Sequence, residues 1–226
     1  MKRALRILLS IVCVLIIALS IVACDKKDEE KEKTKKSESS ELSPEQCQSE
    51  LQDILEKTQS QKTARVEEYG CVSAYYFDGS NTFIYFKEEG LSRWYETWIG
   101  NIGDQYYVFE NSYDYDTNAL MDTEYTIISK SELDEMLQFV IEDDFYYLED
   151  VIEKIEGADK VECKKTTKSN KVEYQIEVTY SDESFKITVT AVDGLVTKIH
   201  FKDEDRTVTY DYTTVITMPD INNYIH

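Results

Sequence analysis

The chain is poor in the residues on which most enzyme mechanisms depend. It holds 2 histidines among its 226 residues, His200 and His226. No HExxH metal motif, glycine-rich phosphate loop or GxSxG nucleophile motif occurs in it. His200 alternates with Ile199 and Phe201 in a strand-like pattern, so we expect its ring to face solvent. The sequence therefore predicts a protein that is not an enzyme and that uses no metal or other cofactor.

Glycine, proline and positive charge are also scarce. Only 7 glycines and 2 prolines occur, which excludes a low-complexity or loop-rich chain. The 25 Lys and Arg residues stand against 45 Asp and Glu residues, giving a formal net charge of −20. Phosphate backbones and anionic lipid headgroups repel such a surface, so we expect no nucleic-acid partner. Plain solubility and an acidic site for a cationic partner both account for this charge.

The N-terminus has the order of a secretory signal. Lys2, Arg3 and Arg6 precede an almost purely apolar run over residues 7–22, and a small residue then stands before Cys24. A charged region, an apolar region and a small-residue cleavage point follow one another in such signals. The run is shorter than the roughly 20 residues of a membrane-spanning helix. An uncleaved anchor is the alternative interpretation.

With Cys24 directly after the cleavage point, this segment resembles the lipobox of bacterial lipoproteins. The resemblance implies that residues 1–23 are removed and that Cys24 receives a diacylglyceryl thioether. It further implies attachment to the cell membrane, on its extracytoplasmic face. Two acyl chains supply the two membrane signals that stable anchoring requires.

Residues 24–44 are predicted to be a flexible tether between this anchor and a folded domain at 45–226. After Cys24 the tract is charged and polar, and Leu42 is its one apolar residue. Such a composition buries too little surface to offset the entropy lost on ordering. A solvated helix is the alternative, because Lys and Glu favour helix.

The domain is predicted to be α+β, with a helix, a run of strands, a second helix and further strands. Ser43, with Gln46 three residues later, predicts the start of a helix that extends to about Lys62. Strands are predicted at roughly 66–78, 81–88, 92–99, 104–111 and 123–129. A second helix is predicted over 131–156, capped by Ser131, with a break near 142–144 and a stop at Gly157. Strands at about 171–180, 185–191, 195–201 and 208–212 complete an antiparallel meander.

The lipobox, the N-terminal amphipathic helix, the aromatic meander, the helix at 131–156 and the returning meander together resemble the LolA-like superfamily. This superfamily comprises envelope lipoproteins and lipoprotein carriers. The resemblance implies a curved antiparallel sheet, an unclosed half-barrel, wrapped around amphipathic helices. It implies a binding site for acyl chains or lipoproteins between sheet and helices, or a role as a sensor or partner-binding module. A tandem α-plus-sheet arrangement, like that of β-lactamase-inhibitor proteins, fits the same element order.

Aromatic residues crowd the first meander and are the candidate ligand site. We expect them to line a groove between the sheet and the helices, where an apolar ligand would lie. A simple sheet core is the alternative. The candidate groove residues are Tyr76, Phe83, Tyr85, Trp94, Trp98, Tyr107 and Phe109.

Three cysteines, Cys47, Cys71 and Cys163, follow the anchor cysteine. Outside the cytoplasm a disulfide is permitted, and Cys47–Cys71 is the first pairing to consider. The same residues could instead be small buried hydrophobes. The sequence as a whole predicts a membrane-anchored lipoprotein that binds a lipid, acyl chain or lipopeptide. The alternative is a protein-interaction or envelope-sensing module with no small ligand.

Overall fold

The computed structural model describes residues 37–90, 92–181 and 183–220. The predicted signal, Cys24 and most of the predicted tether lie outside these residues. Within them the chain forms two helices and twelve strands. The helices are α1 (Pro44–Gln59) and α2 (Lys130–Gly157). The strands are β1 (Glu38–Leu42), β2 (Thr63–Glu68), β3 (Cys71–Phe77), β4 (Thr82–Glu89), β5 (Arg93–Ile102), β6 (Gln105–Asp114), β7 (Leu120–Ile128), β8 (Lys160–Lys168), β9 (Lys171–Tyr180), β10 (Glu183–Val192), β11 (Leu195–Phe201) and β12 (Arg206–Asp211).

The strands form one open antiparallel sheet in the order β1-β8-β9-β10-β11-β12-β2-β3-β4-β5-β6-β7. The chain enters the middle of the sheet at β2 and runs outward to β7. It then crosses through α2 to β8 and runs back inward to β12. The two meanders meet where β12 pairs with β2, with Tyr210 opposite Val66. The α+β class and an unclosed antiparallel sheet are therefore confirmed.

Helix α1 begins as its sequence predicts. The Ser43 hydroxyl accepts a hydrogen bond from the Gln46 backbone N–H, and the Gln46 side chain accepts one from the Ser43 N–H at 3.0 Å. These two bonds satisfy backbone donors that the first turn leaves without partners. The helix ends at Gln59, a little before the predicted Lys62. Its buried stripe contains Cys47, Leu51, Ile54, Leu55 and Thr58.

Helix α2 differs from its prediction at both its start and its middle. Its N-cap is Ser129 instead of Ser131, because Glu132 stands three residues after Ser129 and completes the capping box. The predicted break near 142–144 does not occur. Asp144 points into the core beside Phe145, so the acidic run is not a solvated interruption of the helix.

Two predictions about the strands need correction, and one further strand was not predicted. The end of the predicted tether, Glu38–Leu42, is strand β1, which pairs with β8, a strand that the sequence pattern did not reveal. The predicted strand at 66–78 is the hairpin β2–β3, turned at Tyr69 and Gly70 with positive φ angles. A polar edge strand is recruited by hydrogen bonding to its neighbour, and its own composition carries little signal for this.

Both helices pack on one face of the sheet and on each other. Helix α1 lies against β11, β8 and β1, and α2 lies against β3 and β4. The core between helices and sheet includes Tyr75, Ile84, Ile99, Phe145, Leu148, Ile176, Val189 and Ile199. Among the described residues, neither helix is long and apolar enough to cross a membrane.

Candidate functional site

The predicted groove aromatics lie on the sheet face opposite the helices. Ile84 and Ile99 belong to the core under the helices, and side chains alternate along a strand. Their neighbours Phe83, Tyr85 and Trp98 therefore point to the other face. Strand pairing extends this face, with Tyr76 opposite Phe83, Trp98 opposite Phe109, Trp94 opposite Tyr113 and Tyr107 opposite Gly100. The prediction that these seven residues line a groove between sheet and helices is wrong.

These aromatics instead build a second apolar layer. The ring centroids of Tyr85 and Trp98 are 5.5 Å apart, and Trp94 stacks on Tyr113 at 3.9 Å. The hydroxyls of Tyr85 and Tyr113 donate to the Glu96 carboxylate at 2.9 and 3.0 Å. Rings packed with their hydroxyls satisfied stabilise a sheet without any ligand.

The C-terminal segment, here residues 213–220, covers part of this aromatic face. Thr63 donates a hydrogen bond from its hydroxyl to the Thr214 carbonyl at 2.9 Å, which fixes the segment beside β2. Ile216 is buried, and Met218 lies over Gly100 next to Phe83. The chain itself therefore fills space on this face, as expected for the alternative interpretation of the aromatics as packing residues.

A different set of residues lines an open groove on the helix face. This groove, between the N-terminal half of α2 and the sheet, has a volume of about 420 Å³. Its walls are Phe86, Ile99, Met136, Phe139 and Val140, with Glu132 and Glu135 at its edge. The Phe139 side chain is 66% exposed, although Val140 beside it is buried. None of the predicted aromatics belongs to this groove.

A sequence signal for the groove does exist at Phe139. Leu133, Val140 and the apolar residues after them occupy the buried face of α2. The helix therefore does not need an aromatic residue at position 139 for its own packing. Single exposed apolar residues are common on protein surfaces, and Tyr146 of the same helix is another, so this signal points to a site only together with the groove that the structure places at Phe139. Phe86 gives no such signal, since it alternates with Ile84 like any residue of a buried strand.

The edge of the groove is negatively charged. Glu132 is the capping-box residue of α2, and its carboxylate accepts hydrogen bonds from the Ser129 N–H and hydroxyl. These donors hold the pKa of Glu132 below its usual range. Glu132 is therefore ionised at neutral pH, one helical turn from the apolar wall formed by Met136.

A buried polar cluster lies under the middle of α2. Asp144 is 4% exposed and stands near Ser73 and Tyr210. Burial raises the pKa of Asp144 to about 7; the neighbouring Ser73 hydroxyl opposes this rise in part, and the negative charge of Asp143 adds to it. Within the described residues, Asp144 Oδ2, Ser73 Oγ and Tyr210 Oη make no hydrogen bond of normal geometry. Three buried polar side chains thus lie close together in the core with little hydrogen bonding to offset their burial.

Histidine and the other side chains that bind metal ions are not clustered in the described part of the chain. His200, expected to face solvent, is half-buried, and its Nδ1 lies 2.9 Å from the Thr207 hydroxyl. No group of three or more His, Cys, Asp and Glu side chains in the described part of the chain could hold a metal ion. The groove at Phe139 is an apolar surface with two carboxylates at its edge.

Comparison with protein-family models, curated proteins and solved structures finds no match to this chain. Within residues 37–90, 92–181 and 183–220, the protein is an α+β domain with an unclosed antiparallel sheet of twelve strands and two helices on one of its faces.

Proposed function

We propose that the protein is a lipid-anchored extracytoplasmic lipoprotein that binds an apolar chain, such as the acyl chain of a lipid or lipopeptide, between α2 and the sheet. The groove at Phe86, Met136 and Phe139 is the observation that carries this proposal. Its volume of about 420 Å³ lies within the roughly 300–1,000 Å³ of small-ligand sites. Burying the ring of Phe139 against a ligand would contribute about 2 kcal/mol.

The anchor in this proposal is Cys24, with the lipobox resemblance as its support. Residues 25–36, all charged except Thr34, would separate the folded unit from the bilayer. The net charge of −20 supports this separation, since an anionic membrane surface repels an acidic domain. An unclosed sheet with helices on one face is also compatible with a LolA-like half-barrel, in which a groove between sheet and helix holds the ligand.

The charge at the groove edge selects among apolar ligands. Glu132 is held ionised by its hydrogen bonds to Ser129, and Glu135 stands beside it at the opening. Two carboxylates repel a ligand that carries its own carboxylate or phosphate at this end. We therefore expect a preference for acyl chains with a neutral or cationic headgroup over free fatty acids.

The test is an affinity measurement on the chain from Lys36 onwards, which holds every described helix and strand and forms one compact unit. A fluorescent acyl alcohol and the matching fatty acid are the probes. We expect the alcohol to bind more tightly, and Phe139→Asp to weaken its binding at least tenfold. Ten-fold corresponds to about 1.4 kcal/mol, less than the burial energy of the ring.

Tyr146→Asp is the matched control for that experiment. Tyr146 is an exposed aromatic residue of the same helix, 55% exposed, and lies outside the groove. Binding by this variant should equal that of the wild type. A wild-type domain that binds neither probe, or equal losses in both variants, would contradict the proposal.

One observation favours the alternative, a protein-interaction module. Strand β7 is the last strand of the sheet within the described residues, and Leu120, Met121, Tyr125 and Ile127 on it are exposed. A free edge of this kind accepts an added strand from a partner. A photo-crosslinking residue at position 127 should then trap a defined envelope protein in cells, and Phe139→Asp should not affect the trapping.

A further inference from the structure

Helix α1 and strand β8 are joined by a row of side-chain contacts in which two cysteines face each other. Leu42 at the end of β1 pairs with Cys163 of β8, and α1 starts two residues after Leu42. This connection brings the first turns of α1 over β8, with which it packs. Cys47 and Cys163 are both buried there, at 0% and 5% exposure, in one core cluster.

A neighbouring ion pair fixes the register of the helix against the strand. Glu50 lies three residues after Cys47, on the same helical face, and Lys165 lies two residues after Cys163, on the same strand face. Lys165 Nζ is 2.7 Å from Glu50 Oε2, and the Tyr174 hydroxyl donates to the same carboxylate oxygen at 2.7 Å. One step back along both elements, the side chains of Cys47 and Cys163 interact, which raises the pKa of Cys47 and lowers that of Cys163.

We propose that Cys47 and Cys163 form a disulfide in the cell and that Cys71 remains a free thiol. Cys71 is exposed, at the start of β3, so the Cys47–Cys71 pairing considered from sequence is replaced by one between buried neighbours. The inference rests on the proposed extracytoplasmic location, because disulfides persist in oxidising compartments. The bond would fasten α1 covalently to β8, the strand that also holds the edge strand β1.

The oxidant is the disulfide of a thiol oxidoreductase. The exchange takes place during folding, before the two cysteines are buried. The Cys163 thiolate attacks one sulfur of that disulfide, and a mixed disulfide forms while the other sulfur leaves as a thiolate. The Cys47 thiolate then attacks Cys163 and displaces the oxidoreductase. Two protein thiols become one disulfide, and the two electrons and two protons reside in the reduced oxidoreductase.

The experiment has a cellular and a purified arm. Whole cells that produce the full chain are acid-quenched, denatured and alkylated without reductant, and the cysteine peptides are identified by mass. We expect a Cys47–Cys163 peptide and alkylation at Cys71. In parallel the chain from Lys36 onwards is reduced and treated with the diazene oxidant diamide, which takes up two electrons and two protons as it becomes a hydrazine.

The Cys71→Ser variant should form the same disulfide, and Cys47→Ser should form none. Oxidation of the reduced wild-type chain should raise its Tm by about 5–15 °C, while the Tm of Cys47→Ser should not respond. If Cys47 and Cys163 are both alkylated in the cellular arm, the protein has no disulfide in the cell and the proposal is overturned. If diamide forms the Cys47–Cys163 bond in the purified chain all the same, the pairing is correct and the proposed extracytoplasmic location is wrong. If diamide gives no bond, or one to Cys71, the pairing itself is wrong.

Discussion

Replacing Asp144 with Asn should raise the free energy of unfolding at pH 8 by about 3–4 kcal/mol. The pKa of Asp144 rises from its usual 3.8 to about 7 in the folded chain, because burial disfavours the charged carboxylate. A difference of this size between the folded and unfolded states amounts to about 4 kcal/mol, at about 1.4 kcal/mol per pKa unit. Asn is close to the same shape and carries no charge to desolvate.

The sign of the pH dependence follows from the direction of this shift. The folded state binds the Asp144 proton more tightly than the unfolded state does. The wild-type chain therefore loses stability as pH rises from about 4 to about 7, and the full penalty is present above pH 7. Asp144→Asn should remove this part of the pH dependence, so its advantage over the wild type should fade towards pH 4. Urea unfolding at several pH values measures both effects.

Asp143→Asn is the control for this prediction. Asp143 is adjacent in sequence and is exposed. Its replacement removes the same formal charge and also the repulsion between Asp143 and the Asp144 carboxylate, which is a smaller effect than burial, so the free energy of unfolding should rise by no more than about 0.5 kcal/mol. Equal stabilisation by both variants would mean that general charge repulsion is responsible, and burial of Asp144 is not. Destabilisation by Asp144→Asn would mean that the carboxylate has a partner that the amide loses.

Adding one methyl group at Gly100 should destabilise the chain by about 2–3 kcal/mol. A Cβ at this position would lie 2.5 Å from Phe83 Cδ1, 2.8 Å from the Thr82 carbonyl oxygen and 3.0 Å from Met218 Sδ. The Phe83 ring and Met218 could move aside at some loss of packing. The Thr82 carbonyl is backbone, held in place because the Thr82 N–H donates to the Asn101 side chain at 3.0 Å.

The same substitution at Gly157 should raise the stability of the chain instead of lowering it. A Cβ there would meet only the Tyr180 ring, at an ordinary contact distance of 3.6 Å. Gly157 is the last residue of α2, and Ala reduces the conformational entropy of the unfolded chain, so Gly157→Ala should stabilise by about 0.5 kcal/mol. Thermal unfolding of both variants compares them directly. A Gly100→Ala chain as stable as the wild type would mean that the Phe83 ring and the Thr82 carbonyl do not crowd this position as closely as the structure shows.

A loss of stability in Gly100→Ala would show that the aromatic face is closely packed around Gly100. Residues 213–220 cover part of this face, whereas the groove at Phe139 on the other face is open. The affinity measurement with Phe139→Asp and the stability measurement with Gly100→Ala therefore examine opposite faces of one sheet. Neither variant touches the other face, so their effects should be independent.

Local patterns in the sequence determined the kinds of elements and several of their ends. The capping box of Ser43 and Gln46 and the buried stripe of α1 involve residues within a few positions of each other. The alternation through Tyr174, Ile176 and Val178 likewise places β9 without knowledge of its neighbours. Because these signals arise from interactions close in sequence, composition and spacing are enough to identify the α+β class and most of its strands.

Only the tertiary structure decided which residues share a surface. Both faces of the first meander are apolar, so its sequence could not tell which face the helices cover, and the aromatics were assigned to the wrong one. Strand β1 exists because β8 pairs with it, and Cys47 faces Cys163 because that pairing positions α1. Asp144 is buried because α2 runs uninterrupted across β3 and β4. Each of these outcomes depends on contacts between residues distant in sequence, for which no local pattern carries the information.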